Sequence, residues 1–257
     1  VRKNERFYDV ATFRSDGEYT DHRHPTDVTF SDAKRDAQRR DFTINGLFED
    51  PIDNEVIDFV GGKDDLDARL IRAIGDPKKR LCEDHLRMLR AVRFASCFSF
   101  SIETETAEAI RENAPQLTGI SKERIGGEIR RMFSHQNRGV AAWELQYLGL
   151  DVSILGEQSI LTAPTRVGRL PATSDFPTAL AAWAIDRHTS EADLQAIAAH
   201  WRKQLLLSNQ EYSDLQEILA LHTTLGAWET LGIAKKKRLA SAERFPCALA
   251  ILQSEDR

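Results

Sequence analysis

The chain has 257 residues, 41% of them hydrophobic, and a formal net charge of −5 at pH 7. This length is enough for one large domain or about two to three small ones, and no apolar run approaches the ~20 residues of a membrane-spanning helix. The net negative charge excludes a uniformly basic nucleic-acid-binding surface, and the cysteines, which show no paired spacing, predict a reducing, cytoplasmic location.

A strand is predicted over residues 6–14, which are rich in aromatic and β-branched residues and end before the turn signal Ser15-Asp16-Gly17. Asp9 lies in the interior of this strand, where a carboxylate is disfavoured unless it is exposed or functional. The residues alone leave both interpretations open. Because the chain starts with Val1 and enters a strand pattern at once, we expect it to be a fragment.

A charged helix is predicted over residues 33–40, and it leads into the motif Arg39-Arg40-Asp41-Phe42-Thr43-Ile44-Asn45-Gly46. Such a run of charges is usually the solvated face of a surface helix. Here, however, the charges pass directly into the apolar residues Phe42 and Ile44, where a free surface helix would be ending.

Two strand-like runs, residues 55–60 and 70–74, flank Gly61-Gly62 and an acidic turn. The two glycines lack the Lys-Ser/Thr ending of a phosphate-binding loop, so an ordinary turn is predicted there. Gly75-Asp76-Pro77 breaks the chain again, and from Leu81 onward the pattern is helical.

The second motif runs from Glu83 to Phe94 and reads Glu-Asp-His-Leu-Arg-Met-Leu-Arg-Ala-Val-Arg-Phe. Residues three apart are neighbours on a helix, so a polar ridge is predicted beside a buried apolar seam. The ridge comprises Asp84, Arg87, Arg90 and Arg93, and the seam comprises Leu86, Leu89 and Val92. The alternative is an ordinary salt-bridged surface helix with an i,i+4 pair of Glu83 and Arg87.

Further helices are predicted after this motif, with a long loop over residues 158–177. The predicted helices span residues 103–113, 121–133, 139–148, 179–187, 191–202, 209–222 and 244–253. Ser121 is expected to cap the second of these helices, with Glu123 in its first turn. Lys235-Lys236-Lys237-Arg238 is either a contact for RNA phosphates or a solvated helix face, and Trp183, Trp201 and Trp228 are assigned to core packing.

Arg-Arg-Asp-Phe-Thr-Ile-Asn followed by Glu-Asp-x-Leu-Arg-x-Leu-Arg-Ala-Val-Arg-Phe resembles the class II tRNA nucleotidyltransferases (CCA-adding enzymes) and their relatives, the bacterial poly(A) polymerases. The resemblance covers Asp9 to about Phe133. It implies an α+β fold, in which the remnant of a nucleotidyltransferase head with a polymerase-beta-like antiparallel or mixed sheet is followed by an all-α neck and body. The implied domains are the C-terminal part of the head (1–76), a nucleotide-selecting, RNA-binding neck (77–150) and an incomplete body (151–257).

The resemblance also implies roles for individual residues. Four residues of the first motif are implied to bind the nucleotide or to shape its ribose and phosphate side: Arg39, Arg40, Asp41 and Asn45. Asp9 is implied to be the third carboxylate of the metal site. Glu123 and Arg124 resemble a helix-stabilising motif near the nucleotide pocket, and Glu83 is a further supporting residue. These roles agree with chemistry, because guanidinium groups bind phosphate bidentately and Asp or Asn can bond a 2′-hydroxyl.

The pairing edges of the bases indicate how Asp84 and Arg87 could select a nucleotide. Cytosine and adenine both present an amino donor beside a ring-nitrogen acceptor, whereas guanine and uracil present a carbonyl acceptor beside an N–H donor. A fixed carboxylate and a fixed guanidinium one helical turn apart are complementary to C and A. A wrong base would leave buried polar groups unpaired, at a cost of ~1–3 kcal/mol each. Arg90 and Arg93 would then lie on the triphosphate side.

Nucleotidyl transfer in this family uses two Mg²⁺ ions, one at the RNA 3′-hydroxyl and the other at the triphosphate. The Gly-rich turn and the strand bearing Asp-x-Asp that the family places upstream of Asp9 do not precede it in this sequence. Because Asp9 alone cannot hold two ions, we expect the chain as given to bind CTP or ATP weakly and to catalyse nothing.

Three functions remain open. The first is template-independent RNA nucleotidyl transfer that adds C and/or A (CCA) to tRNA 3′ ends from CTP and ATP, and the second is bacterial poly(A) polymerase activity. The third is a catalytically inactive paralogue that binds RNA or nucleotide only. The expected partners are tRNA (or another RNA 3′ end), CTP and ATP, with no membrane, and the sequence does not indicate an oligomeric state.

Overall fold

The computed structural model describes residues 2–3, 6–7, 9–17, 26–188 and 193–255. The chain divides into two compact units, residues 1–87 with 101–110 and residues 88–100 with 111–257. The boundary falls inside a helix of the second motif, so Arg87 belongs to the first unit and Arg90 to the second. Short strand pairs in the first unit and many helices confirm the predicted α+β class.

The first unit begins with two antiparallel strand pairs, β1 (Arg2–Lys3) with β2 (Arg6–Phe7) and β3 (Arg14–Asp16) with β4 (Val28–Phe30). The continuous strand predicted over residues 6–14 is therefore wrong. Asp9 lies between β2 and β3, outside both strands, and is exposed. The physical reason is pairing: the register of β3 with β4 starts at Arg14, and a strand needs a ladder partner as well as a suitable composition.

Helix α1 (Ala33–Gln38) leads into the first motif. Its N-cap residue Asp32 accepts a hydrogen bond from the Arg35 amide at 2.8 Å, which satisfies a donor that every helix start leaves open. A short 3-10 helix (Thr43–Asn45) follows, and Phe42, just before it, is fully buried. The apolar residues of the motif therefore anchor its charged residues to the core.

The antiparallel hairpin of β5 (Leu47–Asp50) and β6 (Glu55–Asp58) comes next, followed by helix α2 (Gly62–Asp67). A turn was predicted where α2 lies, and that prediction is wrong for residues 62–67. The Asp58 carboxylate accepts from the amides of Val60, Gly61 and Lys63, each at 2.9 Å, and so organises the start of the helix. Burial acts to raise the pKa of Asp58, but these amide hydrogen bonds hold it below its ordinary value.

A parallel pair of short strands, β7 (Leu70–Ile71) and β8 (Ser101–Ile102), encloses the second motif in the sequence. Two helices lie between these strands, α3 (Pro77–Glu83) and α4 (Leu86–Phe98), and α5 (Thr104–Asn113) follows β8. Leu89 and Val92 are fully buried, as the predicted apolar seam requires.

The second unit is helical throughout its described part. After a 3-10 helix (Ala114–Gly119) it contains α6 (Lys122–Phe133), α7 (Arg138–Tyr147), α8 (Leu150–Leu155), α9 (Thr165–Arg169), α10 (Phe176–Arg187), α11 (Leu194–Leu205), α12 (Asn209–Leu225), a 3-10 helix (Trp228–Thr230), α13 (Ile233–Ala240) and α14 (Phe245–Gln253). In the described ranges no helix is long and apolar enough to cross a bilayer.

Helix α10 forms the centre of this unit, because every one of its residues is buried. The Trp183 ring lies 4.8 Å from that of Phe133 and 5.2 Å from that of Trp201, measured between centroids. Trp183 and Trp201 are fully buried, as predicted. The core assignment of Trp228 is wrong, since its 3-10 helix contains no buried residue.

Two further predictions are corrected in the second unit. Ser121 occupies the N-cap of α6, but its side chain makes no capping hydrogen bond. Helix α9 lies inside the predicted loop 158–177. It packs closely on α7, since a Cβ atom on Gly139 would lie 2.4 Å from the Cα atom of Gly168. Only glycine fits at such an approach.

Candidate functional site

Arg39 and Arg40 share one buried carboxylate, that of Asp36, which is 2% exposed. Asp36 accepts from Arg39 Nε and Nη2 at 2.9 and 2.7 Å, and from Arg40 Nε and Nη2 at 3.1 and 3.0 Å. Burial acts to raise the pKa of Asp36, but hydrogen bonds from Arg39, the Arg14 amide and Arg40 hold it below its ordinary value. Sequence reasoning missed Asp36, although an acid three and four residues before two arginines is a readable helical signal.

Arg40 is fixed at two further points. Its Nη1 donates to the Asn45 carbonyl oxygen at 3.2 Å, and its guanidinium carbon lies 5.4 Å from the centroid of the Phe48 ring. Nevertheless, 40% of the side chain is exposed. The structure thus presents an oriented guanidinium at the surface of the first unit.

Asp41 and Asn45 are also brought together. Asp41 is 8% exposed, and its carboxylate accepts from the Phe42 amide at 3.0 Å and from Asn45 Nδ2 at 2.9 Å. These bonds fix the orientation of the Asn45 amide. All four residues predicted in the first motif therefore belong to one hydrogen-bonded group with Asp36.

Arg80, which sequence reasoning also missed, connects the two motifs. Its Nη2 and Nη1 donate to the carbonyl oxygens of Gln38 and Arg39 at 2.6 and 3.2 Å, and its Nε donates to that of Ile74 at 3.0 Å. The last carbonyls of a helix need such partners. A residue of α3 thereby holds the C-terminal end of α1 in place.

Glu83 continues this network into the second motif. Its Oε2 accepts from Arg80 Nη1 at 2.9 Å and from Arg87 Nη1, and Arg87 Nη1 also donates to the Arg80 carbonyl oxygen at 2.7 Å. The i,i+4 pair of Glu83 and Arg87 therefore exists, but Arg87 is only 8% exposed. This pair is part of a part-buried hydrogen-bond network and not of a fully solvated helix face.

Asp84 lies outside the helix in which it was predicted. Helix α3 ends at Glu83 and α4 begins at Leu86, and the Asp84 carboxylate accepts from the Leu86 amide at 3.0 Å. The predicted ridge is wrong at this first member, because an aspartate competes for the backbone at a helix start. Arg87, Arg90 and Arg93 do lie on α4 at a spacing of three.

Arg90 and Arg93 belong to the second unit. Arg93 forms an ion pair at 2.8 Å with Glu128 of α6, a carboxylate whose residue is 2% exposed. Arg93 and Arg90 also lie over the Phe94 ring, at 4.3 and 5.3 Å from its centroid. Burial lowers the pKa of Arg93, and Glu128 acts in the opposite direction.

Glu128 is a residue that sequence reasoning missed, since the supporting role was given to Glu123 and Arg124. Glu123 lies exposed in the first turn of α6, and Arg124 is half-buried. Glu128 also accepts from Arg131 at 2.7 Å. The supporting roles of Glu123 and Arg124 remain predictions.

Asp9 is exposed and outside any strand. Among the residues that the structure describes, no group of three or more His, Cys, Asp or Glu side chains could hold a metal ion. The described donor set therefore does not fit Mg²⁺, and the role of Asp9 as a metal ligand remains a prediction.

Two family models match the chain. Residues 1–72 match the poly A polymerase head domain, and residues 99–150 match a model described as the probable RNA and SrmB-binding site of polymerase A.

Two curated relatives are named CCA-adding enzymes. The protein of Limosilactobacillus reuteri (strain DSM 20016) is 49% identical over 131 residues, which cover 51% of this chain and 32% of that protein. The protein of Oceanobacillus iheyensis is 42% identical over 152 residues, which cover 59% of this chain and 38% of that protein. The matched parts thus span about a third of each relative's length.

Solved structures of CCA-adding enzymes are also similar to this chain. The Bacillus stearothermophilus CCA-adding enzyme in complex with CTP is 25% identical with a TM-score of 0.77, over 99% of this chain and 61% of that one. The Thermotoga maritima CCA-adding enzyme complexed with tRNA is similar in fold, with 20% identity and a TM-score of 0.64 over 85% and 57% of the two chains. These findings confirm the predicted resemblance to the CCA-adding enzymes and poly(A) polymerases.

Proposed function

We propose that this chain is the nucleotide-selecting part of a template-independent RNA nucleotidyltransferase that adds C and/or A (CCA) to tRNA 3′ ends from CTP and ATP. The observation that carries the proposal is the orientation of Arg39 and Arg40 by the buried carboxylate of Asp36. The similarity to CCA-adding enzymes supports it. The division into head (1–76), neck (77–150) and body (151–257) and the cytoplasmic location are part of the same proposal.

The proposed role of Arg39 and Arg40 is to bind the triphosphate. Guanidinium groups bind phosphate oxygens through paired N–H donors. Because Arg40 already makes three hydrogen bonds while 40% of its side chain is exposed, little side-chain entropy is lost when a phosphate binds. Two arginines on one carboxylate also keep a net positive charge toward the ligand.

The proposed role of Asp84 and Arg87 is base selection. Arg87 is held by Glu83 and by the Arg80 carbonyl oxygen, which fixes the plane of its guanidinium. Asp84 is held at the start of α4 by its bond to the Leu86 amide. A positioned acceptor and a positioned donor are what the pairing edges of C and A require. Arg90 and Arg93 are proposed to act on the triphosphate side.

In the proposed reaction the 3′-hydroxyl oxygen of the RNA attacks the α-phosphorus of CTP or ATP. A phosphodiester bond forms, the bond to pyrophosphate breaks, pyrophosphate leaves, and the hydroxyl proton passes to solvent. The described residues bind and orient the nucleotide for this step. Mg²⁺, with Asp9 as one ligand, remains a prediction for the whole enzyme.

A poly(A) polymerase is the second candidate, because the family model that matches residues 1–72 carries that description. It would share the arginine pair and the selection of A but would not use CTP. A catalytically inactive RNA- or nucleotide-binding paralogue is the third. Nucleotide preference separates the first two, and incorporation of labelled CMP or AMP onto an RNA 3′ end separates both from the third.

Calorimetric titration of the chain with CTP, ATP, UTP and GTP tests the proposal. We expect CTP and ATP to bind roughly tenfold more tightly than UTP and GTP, as one unpaired buried group on a wrong base would cause. Preference for ATP alone would favour the poly(A) polymerase, and equal or absent binding of all four would contradict the proposal.

Substitution of Asp84 tests the base-selecting residue itself. Asp84→Ala should reduce the ratio of CTP to UTP affinity toward one, because the acceptor for the amino group is removed. Asp84→Ser is the matched control, since serine can still cap α4 but is too short to reach a base. A ratio that falls in the Ala variant and is retained in the Ser variant would assign Asp84 to helix capping alone.

A further inference from the structure

Helix α13 (Ile233–Ala240) carries the basic run Lys235-Lys236-Lys237-Arg238 and contains no buried residue. It lies outside the segments that match family models, residues 1–72 and 99–150. The chemistry of its own residues is therefore what indicates its role.

The cations of α13 differ from the arginines elsewhere in the second unit. Many of those arginines form ion pairs with carboxylates in the described part of the unit: Arg93 with Glu128, Arg130 with Glu211, Arg131 with Glu128, Arg166 with Asp186, Arg187 with Asp151, and Arg244 with Asp214. Among the described residues, no carboxylate forms an ion pair with any of the four cations of α13. The chain has 40 acidic and 35 basic residues, so four adjacent cations without a carboxylate partner form an exceptional positive patch.

The helix also lacks the usual sources of stability. An isolated helix shorter than ~12–15 residues is marginal in water, and α13 has 8 residues, no side-chain N-cap and no acid in its first turn. Lys235 and Arg238 are neighbours at a spacing of three and repel each other. Lys236 has an aromatic neighbour, with its Nζ 5.4 Å from the centroid of the Trp228 ring. Neither core packing nor helix stability explains the basic run.

We propose that α13 is a binding surface for the phosphate backbone of the RNA substrate, a role that rests on the proposed function. Charge complementarity favours RNA as the ligand, since a row of phosphates would neutralise the repulsion between the basic side chains of α13. Lys235, Lys237 and Arg238 are exposed and lie along a helix ~12 Å long. Contacts of this kind position an RNA and do not read its sequence.

The test is the salt dependence of RNA binding by the triple variant Lys235→Ala, Lys237→Ala, Arg238→Ala. Lys236 is retained because of its contact with Trp228. The probe is a fluorescently labelled tRNA that lacks its terminal CCA, and anisotropy is followed from low to high KCl. Each lost phosphate contact reduces the magnitude of the negative slope of log K against log [salt] by roughly 0.7–0.9. We therefore expect the salt dependence of the variant to be shallower by about 2 in this slope, and its Kd at physiological salt to rise roughly tenfold or more.

Two matched variants accompany it. Lys34→Ala, Lys63→Ala, Lys203→Ala removes the same charge from exposed positions on α1, α2 and α11, all outside the proposed RNA-binding neck, and the salt slope should stay close to that of the wild type. Lys235→Arg, Lys237→Arg keeps the charge of α13 and should bind RNA as the wild type does. CTP affinity should be unchanged in all three variants.

An unchanged salt slope in the α13 variant, with wild-type RNA binding intact, would overturn this inference and leave the proposed function standing. Equal losses in the α13 variant and the control would also overturn it, because the effect would then be net charge alone. Binding of α13 to anionic phospholipid vesicles in preference to the tRNA would overturn it too. Failure of the wild-type chain to bind any RNA would remove the RNA partner from both proposals.

Discussion

Asp36 is the residue on which the arrangement of the first motif depends. It receives two charge-assisted hydrogen bonds from each of two guanidinium groups, and such bonds are roughly twice as strong as neutral ones. It is itself buried and fixes the two arginines that are proposed to bind the triphosphate. The role proposed for Asp36 is therefore that of a positioning residue.

Asp36→Asn should weaken CTP binding by roughly tenfold, because an amide cannot accept from both guanidinium groups and the arginines lose their orientation. The measurement is calorimetric titration at constant salt. Asp32→Asn is the matched control on the same helix, since asparagine caps a helix as well as aspartate does, and it should stay within about twofold. Wild-type CTP affinity in Asp36→Asn would contradict the positioning role, provided that thermal unfolding shows a folded protein.

At the scale of elements, the break between α3 and α4 is the main departure from the predicted single helix. It places Asp84 at a helix start and leaves α3 free to present Arg80 to the end of α1. Arg80 links the RRDFTIN motif to the second motif through backbone carbonyls up to 42 residues away in sequence. The first motif and the part of the second motif up to Arg87 thus share one hydrogen-bonded network within the first unit, because Arg80 joins α1 to α3.

Arg80→Ala should lower the free energy of unfolding by about 1–3 kcal/mol, since it removes the donor to three backbone carbonyl groups and one of the two donors to Glu83. Urea denaturation followed by circular dichroism measures this. Arg80→Lys should not restore stability, because an ammonium group cannot reproduce the planar fork. Lys79→Ala, an exposed neighbour on α3, should change stability by less than about 0.5 kcal/mol. Equal effects of Arg80→Ala and Lys79→Ala would show that the link contributes nothing.

At the scale of the whole molecule, carboxylates paired with arginines make the fold sensitive to acid. The best-defined case is Glu211 of α12, where hydrogen bonds from Arg130 of α6 lower the pKa to about 2 from the ordinary 4.5. A carboxyl group with a depressed pKa contributes stability above its ordinary pKa, and the contribution is lost as the pH falls toward the depressed value.

Glu211→Gln should therefore destabilise the protein by about 1–2 kcal/mol at pH 7, after allowance for solvent screening of this partly exposed pair. The difference from the wild type should shrink as the pH is lowered from about 4.5 toward 2. Thermal unfolding across this range measures it, with Glu217→Gln on the same helix as control. A difference that does not depend on pH would mean that the ion pair is not its source.

Features that depend on local spacing could be predicted before the structure was known. The buried seam of Leu89 and Val92 and the core positions of Trp183 and Trp201 were predicted correctly, because periodicity and composition report which faces are buried. The α+β class followed from the family resemblance that the two motifs carry. The i,i+4 pair of Glu83 and Arg87 was also readable at this level.

Which distant groups meet depends on the tertiary fold. The link from Arg80 to α1 and the pair of Arg93 with Glu128 join residues that are 35 or more positions apart, and no local pattern contains that information. The burial of Asp36 and the position of Asp84 at a helix start were local in sequence, yet competing backbone hydrogen bonds and packing decided them. Strand pairing likewise determines where β3 begins, because a strand forms only where a partner strand is available and not wherever its residues favour extended structure.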